Sequence, residues 1–304
     1  MLKRYSIIEN KIVETASEQS PIYVFISPDE KEKRFLVDEF KLDEHTLNSA
    51  SDPDELSRLE FEPSHTAIIF KRPQNYSGAQ QFFFKVASTG LFLFNDKLII
   101  VIDEDLPLFE GKQLSKVTSL QQLTLKLIYR SIFHFLEHLK IINVISDELE
   151  KKINAAMENS YLINLFSLEK SLVYYLNSIS SNGVLFVKLK NSTAKIGFTT
   201  EETEFLDDML IENSQCLRQA DIYSNILASL MDARASIVGN NLNVLMKTLN
   251  IITIGIMVPT FVVSAFSMNV RIPLSAHPFA FWIIMSFASV SVAALTFVWK
   301  RKKW

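Results

Sequence analysis

The chain has 304 residues, 48% of them hydrophobic, with 31 Lys and Arg against 34 Asp and Glu. That length makes one large domain or two modest ones with a proper core. A net charge of −3 argues against a basic nucleic-acid binder, and a single cysteine, Cys216, excludes internal disulfides and a cysteine-cluster metal site. The charge is unevenly spread. The last acid is Asp232, so residues 1–232 carry 24 bases against 34 acids, a net −10, while residues 233–304 carry +7. An acidic front attracts cations. The mean hydropathy of +0.15 is high for a soluble protein, and the last sixty or so residues account for it.

The opening MLKRYSIIENKIVETA has no apolar run or cleavage site of the kind a secretory signal needs, so none is expected. Ile22–Ile26, His65–Lys71, Gln81–Val86, Gly90–Phe94 and Lys97–Ile102 read as strands. Between the first two, Pro28–Glu39 and Asp52–Arg58 have helical character, the latter after a Ser-Asp-Pro-Asp start signal. Strands with helices between them predict an α/β domain over residues 1–118. From Ser119 the pattern turns to long helix, from Leu120 to about Leu176, with Asn182-Gly183 as the first stop and a polar stretch to Thr200. Residues 119–198 are expected to be a helical part of the same domain.

Thr199-Thr200-Glu201-Glu202 starts the next helix, with acids in the first turn favoured by the helix dipole. Met209, Cys216, Tyr223, Leu230, Ile237 and Val244 recur every seven residues, with Asn213, Ala220 and Leu227 four places after the first three. This coiled-coil-like seam runs without a stop to Pro259, about 60 residues and so about 90 Å of helix, and predicts a stalk over 199–247 shared by several subunits.

No charged or histidine side chain lies between Lys247 and Arg271, so Thr248–Val270 forms 23 uncharged residues. At ~1.5 Å per residue these cross a ~30 Å hydrocarbon core. From Ile272 to Trp299 the only titratable group is His277, and Pro278–Trp299 gives a second span of 22 residues. A loop over 271–277 joins them. Lys300-Arg301-Lys302-Lys303 in the tail, 300–304, hold that end in the cytoplasm, which returns the N-terminus there too and leaves the loop outside.

Glu212-Asn213, Ala220-Asp221-Ile222-Tyr223-Ser224, Met231-Asp232-Ala233, Asn240-Asn241-Leu242-Asn243, Met246-Lys247 and Pro259-Thr260 resemble the stalk and first span of CorA-type magnesium transporters. Leu42–Pro73 is similar to that family's acidic segment and following strand, and Phe82–Phe109 to its next strand pair. The family ends its first span in Gly-Met-Asn. Here the tripeptide is Ser267-Met268-Asn269 after Phe266, and Arg271 stands in a loop that is commonly acidic. Serine brings a Cβ and a hydroxyl to a place where glycine permits φ > 0 and close approach.

The resemblance implies a homopentamer in the cell membrane that takes up Mg²⁺, with a ring of Asn269 amides at the outer mouth. Mg²⁺ keeps several waters when bound, and a neutral carbonyl accepts hydrogen bonds from that shell without trapping the ion. Helical periodicity sets Asn243, Met246, Leu249, Asn250, Thr253, Met257 and Thr260 on one face within about 120°. The resemblance puts pore-lining positions at Asn243, Met246, Leu249 and Met257, whose Met and Leu rings would block hydrated ions by dewetting. Periodicity alone does not choose Leu249 over Asn250. The resemblance also implies that Asp208 binds a regulatory divalent ion between subunits, whose loss would loosen the ring and let the constriction wet.

His134 and His138 stand at i, i+4, a spacing that binds zinc, but without the HExxH order or an evident third ligand they read as packing or surface. There is no Walker loop, G-x-S-x-G or GxGxxG, so no enzyme is expected. The expected partners are other copies of the chain, membrane lipid and divalent cations, with no nucleic acid. Two other readings stand beside this one: a Zn²⁺, Co²⁺ or Ni²⁺ transporter of the same fold, which accounts for Ser267 and the missing loop acid, and a non-conducting membrane-anchored sensor or scaffold that kept the fold.

Overall fold

The computed structural model describes residues 1–17, 19–76, 82–111, 114, 116–155, 159–268, 270 and 277–301. The strands are β1 Leu2–Ile8, β2 Lys11–Glu14, β3 Ile22–Ile26, β4 Arg58–Phe61, β5 Thr66–Pro73, β6 Val86–Leu93 and β7 Leu98–Ile102. The helices are α1 Glu30–Phe40, α2 Glu44–Ser49, α3 Leu120–Ala155, α4 Asn159–Asn191, α5 Thr193–Ile196, α6 Thr200–Ala265 and α7 Ala280–Arg301. The chain divides into two units, Met1–Met231 and Asp232–Trp304.

In the first unit the strands form one sheet in the order β2-β1-β3-β7-β6-β5-β4. Only β3 and β7 pair in parallel, and the other neighbours are antiparallel. Successive residues of β7 go to opposite faces, as a strand's period of two requires. Leu98, Ile100 and Ile102 join a core with residues of α3, α4 and α6. Ile99 and Val101 join a second core with Leu36 of α1 and Leu47 of α2. Burial on both faces explains why β7 is apolar throughout. The α/β class expected from the sequence is the class found.

Several boundaries differ from the sequence reading, each for a local reason. Asp52–Arg58 is turn and the start of β4. The helix lies upstream in α2, where Asp43 caps it by accepting from the Thr46 backbone N–H at 2.8 Å. Val86–Leu93 is one strand, Phe82–Lys85 lie outside it, and Gln81 falls outside the described residues. Gly90 does not break this strand. It admits α2, because a Cβ at Gly90 would stand 2.5 Å from the Ala50 Cβ. β1 and β2 form a hairpin not anticipated at all, turning on Glu9 and Asn10, both at positive φ.

Asn182-Gly183 is not a stop, because α4 runs through it to Asn191. The Asn182 side chain is fully buried. Its Oδ1 accepts from the Lys71 backbone N–H at 2.9 Å and its Nδ2 donates to the Lys71 carbonyl at 2.8 Å. The β4 pairing to β5 begins at Arg58 opposite Ile69, so no strand reaches Lys71 on that edge. The Asn182 amide replaces the missing strand. Gly183 lets α6 come close, since a Cβ there would sit 3.0 Å from the Asn213 Nδ2.

α6 starts where the acids predicted. Thr199 Oγ1 accepts from the Glu202 N–H at 3.2 Å and Glu202 accepts from the Thr199 N–H at 2.8 Å, a reciprocal cap. The seam was expected to be shared between subunits, but its first half closes within the chain. Met209, Asn213, Cys216, Ala220 and Leu227 are buried, and Asn213 Nδ2 donates to the Ile179 carbonyl of α4 at 3.0 Å. Ile237 and Val244, further along, are exposed.

Candidate functional site

The second unit holds the rest of α6 and all of α7, and both helices are long and apolar enough to cross a membrane. Within it, Thr248, Thr253 and Thr260 return their hydroxyls to the carbonyls of Val244, Leu249 and Ile256, at 2.9, 2.8 and 2.6 Å. Each hydroxyl is thus satisfied inside its own helix, as a segment crossing hydrocarbon requires. Pro259 stands inside α6 and has no N–H for the carbonyl one turn back.

α6 and α7 enclose an apolar cleft lined in part by Asn250, Thr253, Ile254 and Val258 from α6 and by Ala294, Leu295 and Trp299 from α7. The predicted stripe therefore divides. Asn250 and Thr253 border α7, whereas Met246, Leu249 and Met257 do not line the cleft and are 55%, 64% and 63% exposed. Asn243 and Thr260 are exposed as well. Asn250 thus lies on the α7 side of α6 and Leu249 does not.

The tripeptide follows the end of α6 at Ala265. Phe266 stacks at 6.3 Å on Phe287 of α7. Ser267 donates from its N–H and its Oγ to the Ser264 carbonyl, at 3.1 and 3.0 Å, and its φ is not positive. Serine is thus accommodated without backbone strain, and its proton is already engaged. Met268 is exposed. Asn269 lies outside the described residues, as do residues 271–276 of the loop and Lys302-Lys303 of the basic tail.

Asp208 is exposed on α6, and its neighbour Asp207 pairs with Lys190. Asp208 and Glu212 both raise the Tyr129 pKa, after burial of that phenol. No group of three or more His, Cys, Asp or Glu suited to a metal occurs among the described residues. Asp208 by itself does not make a metal site within one chain.

His134 and His138 are packing residues, as expected. Their rings meet at 4.4 Å, and His138 Nδ1 lies 2.6 Å from the Tyr175 hydroxyl. Burial pushes the His134 pKa down to about 3 and that of His138 to about 4, so both are neutral at pH 7. Arg72, which the sequence reading did not single out, is buried and paired to Asp103 and Glu104 at 2.6 Å each. Isolated arginines on a strand carry no motif by which to find them.

Comparison with known proteins agrees with this arrangement. The full-length structure of the CorA magnesium transporter from Methanocaldococcus jannaschii superposes with a TM-score of 0.82 at 21% identity, covering 99% of this chain and 96% of that one. Full-length CmaX has a TM-score of 0.76 at 15% identity, covering 99% and 97%. In sequence, the chain is 25% identical over 314 residues to the cobalt/magnesium transport protein CorA of M. jannaschii, covering 98% of this chain and 96% of that protein. A family model described as CorA-like Mg²⁺ transporter protein matches residues 17–302. Nearly the whole chain, both apolar helices included, falls within that match: it belongs to the CorA-like Mg²⁺ transporter family, a family of membrane ion transporters and not of enzymes.

Proposed function

We propose that the chain assembles as a homopentamer in the cell membrane and conducts Mg²⁺ inward along a pore lined by the α6 stripe. The observation that carries this reading is the exposure of Met246, Leu249 and Met257 on a side of α6 that α7 does not cover. Three large apolar side chains in line, left open by their own subunit, are suited to a shared axis where they form a dewetting constriction. In this reading residues 199–247 are the stalk, 248–270 the pore span and 278–299 the outer span, with both termini cytoplasmic. Asn243 and Thr260 add polar rings to the path. Asn269, beside Ser267 and Met268, is the amide ring that receives the hydrated ion. Asp208 meets a regulatory cation together with an acid of the next subunit, which fits its exposure and the absence, among the described residues, of a group of three or more metal ligands within one chain. The membrane potential supplies ~4.6 kcal/mol per divalent ion at 100 mV.

Ion flux into liposomes holding the purified chain and an internal indicator tests this. Mg²⁺ entry driven by an inside-negative potential is the expected result. Entry of Zn²⁺, Co²⁺ or Ni²⁺ without Mg²⁺ would move the ion assignment and keep the channel. No flux of any divalent ion would leave a membrane-anchored scaffold.

A further inference from the structure

The first unit contains a cavity of 110 Å³ between the sheet and α3, with Leu106, Pro107 and Leu108 on its border. Leu91, Ile100 and Leu127 give it aliphatic walls, and Arg72, Arg130 and His134 supply polar groups. The two arginines are in different states. Arg72 is fully engaged: Nε donates to Thr89 Oγ1, Nη1 to Glu104 and to the Pro73 carbonyl, and Nη2 to Asp103. Two carboxylates more than cancel its charge.

Arg130 has no carboxylate in ion-pair contact among the described residues, and Glu110 and Glu137 act on it only from further away. Its Nη1 donates to the Pro107 and Leu108 carbonyls at 2.7 and 2.6 Å. Its Nη2 and Nε make no hydrogen bond among the described residues. Burial lowers its pKa from the ordinary value. A guanidinium stays protonated in proteins, so Arg130 is a half-buried cation with donors to spare. His134, neutral for the reason given above, offers one N–H and one lone pair and makes no hydrogen bond among the described residues.

We infer that this cavity binds a small organic monocarboxylate, with the carboxylate on the Arg130 guanidinium and the alkyl body against Leu91, Ile100 and Leu127. A guanidinium fork matches a carboxylate in shape and charge. Arg130 is the lining cation without a carboxylate in contact among the described residues, so it pairs with a monoanion, whereas phosphate as a dianion would bring excess charge into a half-buried place that already borders Asp103 and Glu104. The aliphatic walls favour a carbon body over an inorganic ion. An apolar cavity of about 150 Å³ holds benzene, so this volume suits a body of about five heavy atoms, the size of propionate. The inference rests on the first unit alone and does not depend on the transport reading.

Isothermal titration of the full chain in detergent, at pH 7 in carboxylate-free buffer, tests it with propionate. Saturable binding of one propionate per chain is expected, with a Kd on the order of 1 mM. Propionamide, which has the same shape without charge, and inorganic phosphate should each bind at least tenfold more weakly. Arg130→Gln keeps a side-chain amide that donates to the Pro107 and Leu108 carbonyls, and should weaken propionate at least tenfold with an unchanged unfolding temperature. Ser131→Leu, which fills the cavity from the α3 side, should abolish binding. No saturable binding at tens of millimolar, equal binding by Arg130→Gln, or phosphate binding as tightly as propionate would each overturn the proposal.

Discussion

Between Leu206 and Leu227, α6 buries Leu206, Met209, Asn213, Cys216, Ala220 and Leu227 inside its own unit. Between Leu249 and Phe261 the same helix leaves Leu249, Ile252, Ile256, Met257 and Phe261 open. The apolar spacing is similar in the two stretches, and the other faces are not. The first stretch carries Asp207, Asp208, Glu212, Arg218 and Asp221 around its seam, and the second carries no charge after Lys247. A helix with a polar back turns its seam into a protein core, and one apolar all round needs lipid or another subunit on every side. It is the polar face, more than the seam, that separates the two.

The largest expected effect is at Asn269, beyond the open stretch in sequence. Asn269→Ala should cut Mg²⁺ flux in liposomes by more than a hundredfold, about 2.7 kcal/mol of lost stabilisation, with the oligomer unchanged in size-exclusion chromatography. Flux at the wild-type rate would take Asn269 out of the filter. The closed stretch breaks elsewhere. Asn182→Ala strips both backbone groups of Lys71 of their partner and should cost about 2–4 kcal/mol of stability. Denaturant unfolding of the full chain measures it, and a loss below 1 kcal/mol would mean that water satisfies that edge.

This pair of residues also shows what the sequence made legible. The two apolar helices and the family resemblance were readable because a run without charge and a short motif are local signals. The α/β class followed from apolar runs of strand length, and β3, β5 and β7 lie close to their expected places. Asn182-Gly183 was misread as a stop because both residues favour turns in isolation. Their roles come from Lys71, 111 residues away, and from Asn213 on another helix. The hairpin β1–β2 was missed for a related reason. Its turn is Glu9-Asn10, without the glycine that usually marks one, and its strands are largely half-exposed to exposed. The first half of the α6 seam is buried as a seam should be, while Ile237 and Val244 are exposed, and period alone does not say whose helices cover it.

The next test sharpens the assignment of the open stripe. Leu249→Asn or Met257→Gly should raise flux severalfold at high internal Mg²⁺, since the wetting barrier falls with ring hydrophobicity. Asn250→Leu, altered on the side facing α7, should raise it little. Equal gains from both sides would mean that the constriction lies elsewhere.

Acid probes the closed unit. The His134 and His138 pKa values are depressed to about 3 and about 4 from an unfolded 6.5, so below 6.5 the unfolded chain binds more protons. Their contribution to stability is complete above pH 6.5 and is lost as pH falls through 4 towards 3. Thermal unfolding between pH 7 and 4 should show the first unit weakening. A His134→Leu, His138→Gln double variant should flatten that slope, with the Gln amide still able to bond the Tyr175 hydroxyl. A slope as steep as wild type would assign the acid sensitivity to other groups.

The smallest effect concerns Ser267. Its backbone is unstrained at negative φ and its hydroxyl proton is given to Ser264, which leaves only the oxygen lone pairs to face an ion. If the serine acts through its bulk, Ser267→Gly should shift the Mg²⁺ to Co²⁺ flux ratio by less than tenfold and leave unfolding unchanged, because nothing in the turn requires the Cβ. If the hydroxyl oxygen accepts from the ion's hydration shell, Ser267→Ala should lower flux severalfold while Ser267→Thr keeps most of it, since only threonine retains that acceptor. The two outcomes separate on the alanine variant, which removes the oxygen and preserves the Cβ. Flux and selectivity unmoved by all three substitutions would put the filter away from this turn, and Asn269 would then need its own evidence.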